Sequence, residues 1–249
     1  MGQIVFLLVL FLIGFIASFV GNFVSGGVSL IGISAMLLLG VPPHLAVATQ
    51  TVGTLGWRIG GLGAFLKAKK VVWKFVLPLS ICAFLGSTIG AHILVATSEQ
   101  FLNKIIGFII LLFIPLLLIK KNLGVERIGA SKTREYLGYL FYFLIAIWTG
   151  FFSAGTGIFF LYVYMFFFGL TILELKGTDK IPGIFLDIGA IIVFAISGIF
   201  NPLYLLAFFP GMLLGSSLGA KYAIKLGDKW LRVLVLISIA LMSLKLILK

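Results

Sequence analysis

Gly86-Ser87-Thr88-Ile89-Gly90-Ala91 returns 129 residues later as Gly215-Ser216-Ser217-Leu218-Gly219-Ala220. The offset holds without a gap from residues 16–120 onto residues 145–249. It carries the identities Ile16/Ile145, Ala17/Ala146, Gly21/Gly150, Phe23/Phe152, Gly26/Gly155, Gly40/Gly169, Thr49/Thr178 and Gly60/Gly189. Glycine recurs at matched places where a backbone bends or closely approaches another. The chain reads as one helical unit written twice: repeat 1 over residues 1–121, a linker over 122–135 and repeat 2 over 136–249.

Composition names the medium. Hydrophobic residues make up 61% of the chain and charged residues 10%, where soluble domains carry about 25% charged residues. Too few charges remain to cover a water-facing surface, so the partner of most of this surface is the lipid bilayer. The net charge of +12 sits mostly at segment ends, which fits a positive-inside topology and not a nucleic-acid partner. Met1-Gly2-Gln3 offers no basic leader, and the apolar run from Ile4 to Val24 is longer than a signal's core; it is expected to remain as a span. Cys82 is the sole cysteine, so no intrachain disulfide can form.

Apolar stretches fall near 3–24, 28–41, 44–66, 72–97, 98–119, 136–152, 156–170, 177–200, 202–226 and 230–248. A helix crosses the hydrocarbon core in about 20 residues. The stretches at 28–41 and 156–170 are shorter, and they occupy matched places. They either span incompletely or belong to re-entrant pairs. The connection at 67–74 holds Lys67, Lys69, Lys70 and Lys74, whereas its counterpart at 196–203 holds no charge. Basic loops stay in the cytoplasm, which places 67–74, 120–135 and 221–232 there. Matched loops then lie on opposite faces. The expectation is an all-α polytopic protein of the cell membrane, built of two inverted repeats of about five helical segments each, with both termini outside. Inverted repeats of this kind are a transporter architecture.

Candidate binding residues follow from the repeat. Ser25-Gly26-Gly27 and Gly155-Thr156-Gly157 open the second segment of each copy. A helix starting there offers unpaired N–H groups and a positive dipole end, which suit an anion; alternatively the glycines only allow close helix packing. Gly86, Gly90, Gly215 and Gly219 are read as packing residues. Ser29 and the matched pair Thr49-Gln50 and Thr178-Asp179 add hydroxyl, amide and carboxylate groups. These either bind substrate or hydrogen-bond between helices, and Asp179 and Lys180 could equally sit at the cytoplasmic interface. Arg58 and Asp187 share one matched position inside apolar segments. A charge at that depth costs at least ~2.5–3.5 kcal/mol and marks function by default. Either Arg58 binds the anion while Asp187 couples a proton, or the two form a structural ion pair. No P-loop, H-E-x-x-H, G-x-S-x-G or Cys/His cluster occurs, and His44 and His92 lack metal-ligand spacing. The chain is therefore not expected to be an enzyme or to carry a metal or cofactor.

Gly21-x4-Gly26 and Gly150-Phe151-Phe152-Ser153-Ala154-Gly155-Thr156-Gly157 resemble the glycine-rich first hairpin of the sulfite exporter TauE/SafE family. Leu39-Gly40-Val41-Pro42-Pro43-His44-Leu45-Ala46-Val47-Ala48-Thr49 resembles that family's G-[LV]-P-x-x-A-x-A-T stretch. Gly169-Leu170 with Gly177-Thr178 resembles its second-copy counterpart, and Gly86–Ala91 and Gly215–Ala220 its G-x-x-[IL]-G-A stretch. The resemblance implies a multi-pass permease for a small anion, a sulfur-containing oxyanion or organosulfonate such as sulfite or sulfoacetate, with coupled protons or the anion's own gradient as driving force. Its glycine runs are shorter than the family's G-x-G-G-G, so the substrate stays open within that class. An anion channel, or a non-transporting membrane subunit or enzyme, is the alternative. A homo-oligomer is compatible with either.

Overall fold

The computed structural model describes residues 2–24, 27–98 and 131–247. Ser25, Gly26 and nearly all of the segment expected at 98–119 lie outside that range, as does most of the linker. Every described element of regular structure is helical.

In the first copy, α1 is Gln3–Gly21, α2 Gly27–Leu38, α3 Pro43–Lys67 and α4 Trp73–Ala96. In the second, α5 is Lys132–Phe151. Next, α6, Gly157–Tyr162, runs into a π-helical turn at Val163–Phe167. Then come α7, Ile172–Thr178, α8, Lys180–Ile196, and α9, Pro202–Ile247, which breaks at Gly227. Subtracting 129 from α5, α6 with its π turn, α7 with α8, and the first part of α9 lands on α1, α2, α3 and α4 within a residue or two. The repeat thus begins near residue 3, earlier than the identities suggest. The turns repeat as well. Gly40 and Gly169 have φ of 80° and 68°, and the matched Lys69 and Gly198 have 53° and 70°, left-handed values that favour glycine.

Local chemistry sets the ends. Pro42 precedes α3 and Pro43 opens it, where a missing N–H costs nothing. Ser131 caps α5 by accepting from the Arg134 N–H, and Thr171 with Glu174 forms a capping box on α7. One expectation is corrected here. The apolar stretch 177–200 is not one segment, because the helix starts at Ile172 and breaks at Asp179. Pro182 has no N–H to offer the Thr178 carbonyl four residues back. Its counterpart in the first copy is Gly53, which keeps its N–H, and α3 runs through unbroken.

Three helices are long and apolar enough to cross a membrane among the described residues: Gln3–Gly21, Trp73–Ala96 and Pro202–Leu231. The pair Gly157–Phe167 and Ile172–Thr178 bends by 114°, as a broken span or a re-entrant loop does, and Gly27–Leu38 is a shorter apolar helix. Outward faces are apolar ridges, such as Ile4, Leu8, Leu12 and Ile16 on α1 and Leu77, Ile81, Leu85, Ile89 and Ile93 on α4. A surface of that kind is solvated by lipid chains.

Packing interleaves the copies. Helix α1 packs on α9 and α9 on α3; reciprocally, α5 packs on α4 and α4 on α8. The two triplets meet where α3 crosses α8. Along that contact Thr54 reaches Asp187, Arg58 reaches Asp187, Asp179 and the Gly183 backbone, and Gly61 approaches Lys180. Numbers rise on one helix as they fall on the other, so matched helices α3 and α8 run antiparallel. Glycines let the outer pairs close. A Cβ on Gly90 would overlap the Ile147 carbonyl, and one on Gly215 would overlap the Phe15 carbonyl. Gly86, Gly90, Gly215 and Gly219 are thus packing residues.

Candidate functional site

Where the triplets meet, a cavity of about 90 Å³ lies between the copies. A buried water needs about 10–15 Å³ by the same measure, so several waters or one small oxyanion fit. The first copy contributes Gly21, Val24, Val28 and Ser29 from the α1–α2 corner, and Thr54, Trp57 and Arg58 from α3. The second contributes Thr149, Ser153, Thr156, Gly157, Phe160 and Tyr164 from the α5–α6 corner, and Leu175, Lys176, Asp179 and Asp187 from α7 and α8. Three pairs on this wall, Val24/Ser153, Val28/Gly157 and Arg58/Asp187, are matched positions.

Arg58 donates through Nε to Asp187 Oδ2 at 2.8 Å and through Nη1 to Asp179 Oδ2 at 2.7 Å and to the Asp179 carbonyl at 3.2 Å. Its Nη2 meets no acceptor among the described residues, although a guanidinium carries five donors. The single Thr54 O–H is shared between the Thr51 carbonyl at 2.8 Å and Asp187 Oδ1 at 3.1 Å. Arg58 is 6% exposed and Asp187 2%. The bonded pair is separated by the repeat offset, so these residues touch their own counterparts. Each also sits 15 residues from one end and 9 from the other of its matched helical stretch, Pro43–Lys67 or 172–196. With the stretches antiparallel, the pair brackets the middle of the bundle.

The cations are unevenly paired. Lys176 is 7% exposed, lines the cavity, and makes one long hydrogen bond, to the Gly21 carbonyl at 3.5 Å. Lys180, 1% exposed, stands 3.3 Å from the Trp57 ring centroid and donates to the Trp57 carbonyl at 3.2 Å. Neither makes an ion pair among the described residues. Lys180 is thus buried against an aromatic face. Arg58, Lys176 and Lys180 face Asp179 and Asp187, which leaves one formal positive charge uncompensated.

Of the residues singled out in the sequence, Ser29, Arg58, Thr156, Gly157 and Asp187 meet on this wall. Gly27, Thr49, Gln50, Gly155 and Thr178 do not. Thr178 accepts from the Val72 N–H at 2.9 Å, and the Thr49 hydroxyl and both Gln50 amide atoms are buried without a partner among the described residues. Thr49, Gln50 and Thr51 lie within α3, not at its start. Ser25 and Gly26 lie outside the described residues. Asp179, singled out with Thr178, also lines the cavity, whereas sequence reasoning missed Thr54, Thr149, Ser153 and Lys176. A signal existed: Gln50, Thr54 and Arg58 are spaced by four, as are Lys176 and Lys180, and such residues share a helix face.

No solved structure matches the chain. A "Probable membrane transporter protein" of Haemophilus influenzae is 26% identical over 90% of this chain and 88% of its own length. "Probable membrane transporter protein ORF9" of a Sinorhizobium species is 27% identical over 87% and 84%. "Probable membrane transporter protein YfcA" of Escherichia coli is 25% identical over 90% and 83%. The family model described as Sulfite exporter TauE/SafE matches residues 10–246. With nearly the whole chain inside that match, and with transporter-named relatives along the same length, the protein belongs to the sulfite exporter TauE/SafE family of membrane transporters.

Proposed function

We propose that this membrane transporter moves a small oxyanion through the cavity between its two copies, and that the copies are inverted repeats exchanging access around that site. The substrate class is a sulfur-containing oxyanion or organosulfonate, sulfite among them, driven by its own gradient or by coupled protons. The carrying observation is a buried, hydroxyl-lined cavity with a lysine that makes no ion pair among the described residues. Uncompensated buried cations are costly, and an anion beside Lys176, Ser29, Thr149, Ser153 and Thr156 would offset that cost. Arg58 Nη2 would add a forked, charge-assisted donor. Support for inversion comes from the antiparallel contact of α3 with α8; the reciprocal packing of α1 on α9 and of α5 on α4 fits a two-fold relation between the copies. A parallel repeat would run its matched central helices the same way.

The test is flux of sulfite, methanesulfonate, sulfate and acetate in proteoliposomes. The wild-type protein should carry sulfite or methanesulfonate with saturation. Lys176→Gln should lose affinity by about tenfold or more, the factor expected of a hydrogen bond to a charged group. Unchanged affinity in Lys176→Gln would remove the lysine from the site. Non-saturating flux would favour a channel.

A further inference from the structure

The two copies match in outline, but a polar contact at the central cavity lacks its mirror image. Arg58 bonds Asp179 at 2.7 Å. Applying the offset of 129 to both partners turns that contact into Asp187 with Gln50. That second contact is absent. Asp187 is held by Arg58 and Thr54, and the Gln50 side chain is fully buried with neither its Oε1 nor its Nε2 partnered among the described residues. It packs against Gly32, where a Cβ would overlap the amide, with the Phe208 ring beside it.

A primary amide wholly buried and unbonded is rare, because it forfeits its hydration and gains nothing. A chain retains such a group when another conformation uses it. Gln50 lies four residues, one helical turn, before Thr54 on the same face of α3, and Thr54 is the α3 hydroxyl that holds Asp187 now. The amide N–H donors suit a carboxylate. In a protein of two inverted copies, the opposite-facing state is reached when each copy takes up the arrangement of the other. The image of the Arg58–Asp179 contact then forms as Arg58–Asp179 opens.

From this we infer that Gln50 is a positioning residue of the transport cycle: its amide receives the Asp187 carboxylate in the opposite-facing state and stands empty in the state seen here. The inference rests on the inverted-repeat reading above. It gives Gln50 no contact with the substrate. It makes Asp187 the moving partner of a two-position latch, with Arg58–Asp179 closed in one position and Gln50–Asp187 in the other. Bistable contacts of this kind turn small shifts into discrete states.

The test separates the latch from the substrate. In a Cys82→Ala background, Thr149→Cys places a reporter on the cavity wall. An impermeant thiol reagent is applied from one side of the vesicle and then from the other, with no substrate present. With Gln50 intact, the reporter should react from both sides. Gln50→Met removes the amide at nearly constant volume. It should leave one side's labelling unchanged and slow the other by about tenfold or more, the factor conferred by a hydrogen bond to a charged group. Thermal stability should be equal or higher, since an unbonded amide is lost from this state. Gln50→Glu, which sets a carboxylate against Asp187, should slow the same side. Labelling unchanged in Gln50→Met overturns the inference, and so does slowing from both sides equally. Labelling of the intact protein from one side only overturns it together with alternating access. Two-sided labelling that Gln50→Met makes one-sided, with no flux of sulfite or methanesulfonate by the protein that keeps Thr149, upholds the latch and rejects the substrate class.

Discussion

Arg58 divides its donors between two carboxylates, and that division fixes what single substitutions do. A buried pair is weak evidence of net stabilisation, yet removing one partner strands the other charge and costs about 3–5 kcal/mol. Asp187→Ala is therefore expected to lower thermal stability in detergent by about that order. An unfolding midpoint equal to wild type would show that Asp179 alone satisfies Arg58. Gly183 tests the same site sterically, since a Cβ there would overlap the guanidinium. Gly183→Ala should displace Arg58 from Asp187 and abolish anion flux while the protein still purifies as a monodisperse species. Full flux would show that Arg58 can move without consequence. Arg58 and Asp187 were legible in the sequence because an ionisable side chain inside an apolar run stands out. Thr54, Thr149 and Ser153 were not, because a hydroxyl on a membrane helix can satisfy itself on its own backbone. Thr51 and Thr149 do so, bonding the carbonyls of Val47 and Ile145. Only the three-dimensional meeting of two corners separates those that line a cavity from those that do not.

Among the elements, α3 offers a direct comparison of two glycines one turn apart. A Cβ on Gly60 would overlap the Leu213 carbonyl of α9, whereas one on Gly63 would meet nothing within 4 Å. Gly63→Ala should stabilise the protein by about 0.5–1 kcal/mol, the helix-interior penalty of glycine. Gly60→Ala should destabilise it by wedging α3 from α9. Thermal unfolding of both variants checks the sign, and equal shifts would refute close packing at Gly60. Helix ends were largely legible, since prolines, glycines and caps mark them. The break at Asp179 was not, although Pro182 announces it three residues downstream. Polar residues at 178–180 drew attention to themselves as ligands, when the decisive group was the N–H that Pro182 lacks. The same proline explains why two copies of one pattern differ: α3 continues through Gln50, and its counterpart divides into α7 and α8.

Across the whole molecule, charge separates by end. Lys74 pairs with Glu135 at 2.6 Å, the Val72 N–H donates to Thr178, and the Leu173 N–H donates to Asp228 at 2.6 Å. These contacts gather 67–74, 131–135, 171–178 and 226–228 at one end of the bundle. There they collect Lys67, Lys69, Lys70, Lys74, Lys132, Arg134 and Lys229. At the other end, Phe6 meets Tyr204, His44 bonds the Leu94 and Thr97 carbonyls, and Ile199 and Phe200 pack near Leu37 and Val95. The stretches 2–6, 39–44, 94–98 and 196–204 contain no lysine, arginine, aspartate or glutamate. The loop charges that suggested direction in the sequence are thus brought together by the fold, which no single loop could reveal. Basic residues are retained in the cytoplasm, so the lysine-rich end should face inward and the first helix should start outside. In a Cys82→Ala background, Lys69→Cys should react with an impermeant thiol reagent only from the cytoplasmic side, and Asn201→Cys only from the opposite side. Positions 69 and 201 lie in matched turns of the two copies, so their separation would place those copies upside down relative to each other. Reaction of both from one side would leave the antiparallel contact of α3 and α8 without a membrane to cross, and exchange of access through the central cavity would fail with it.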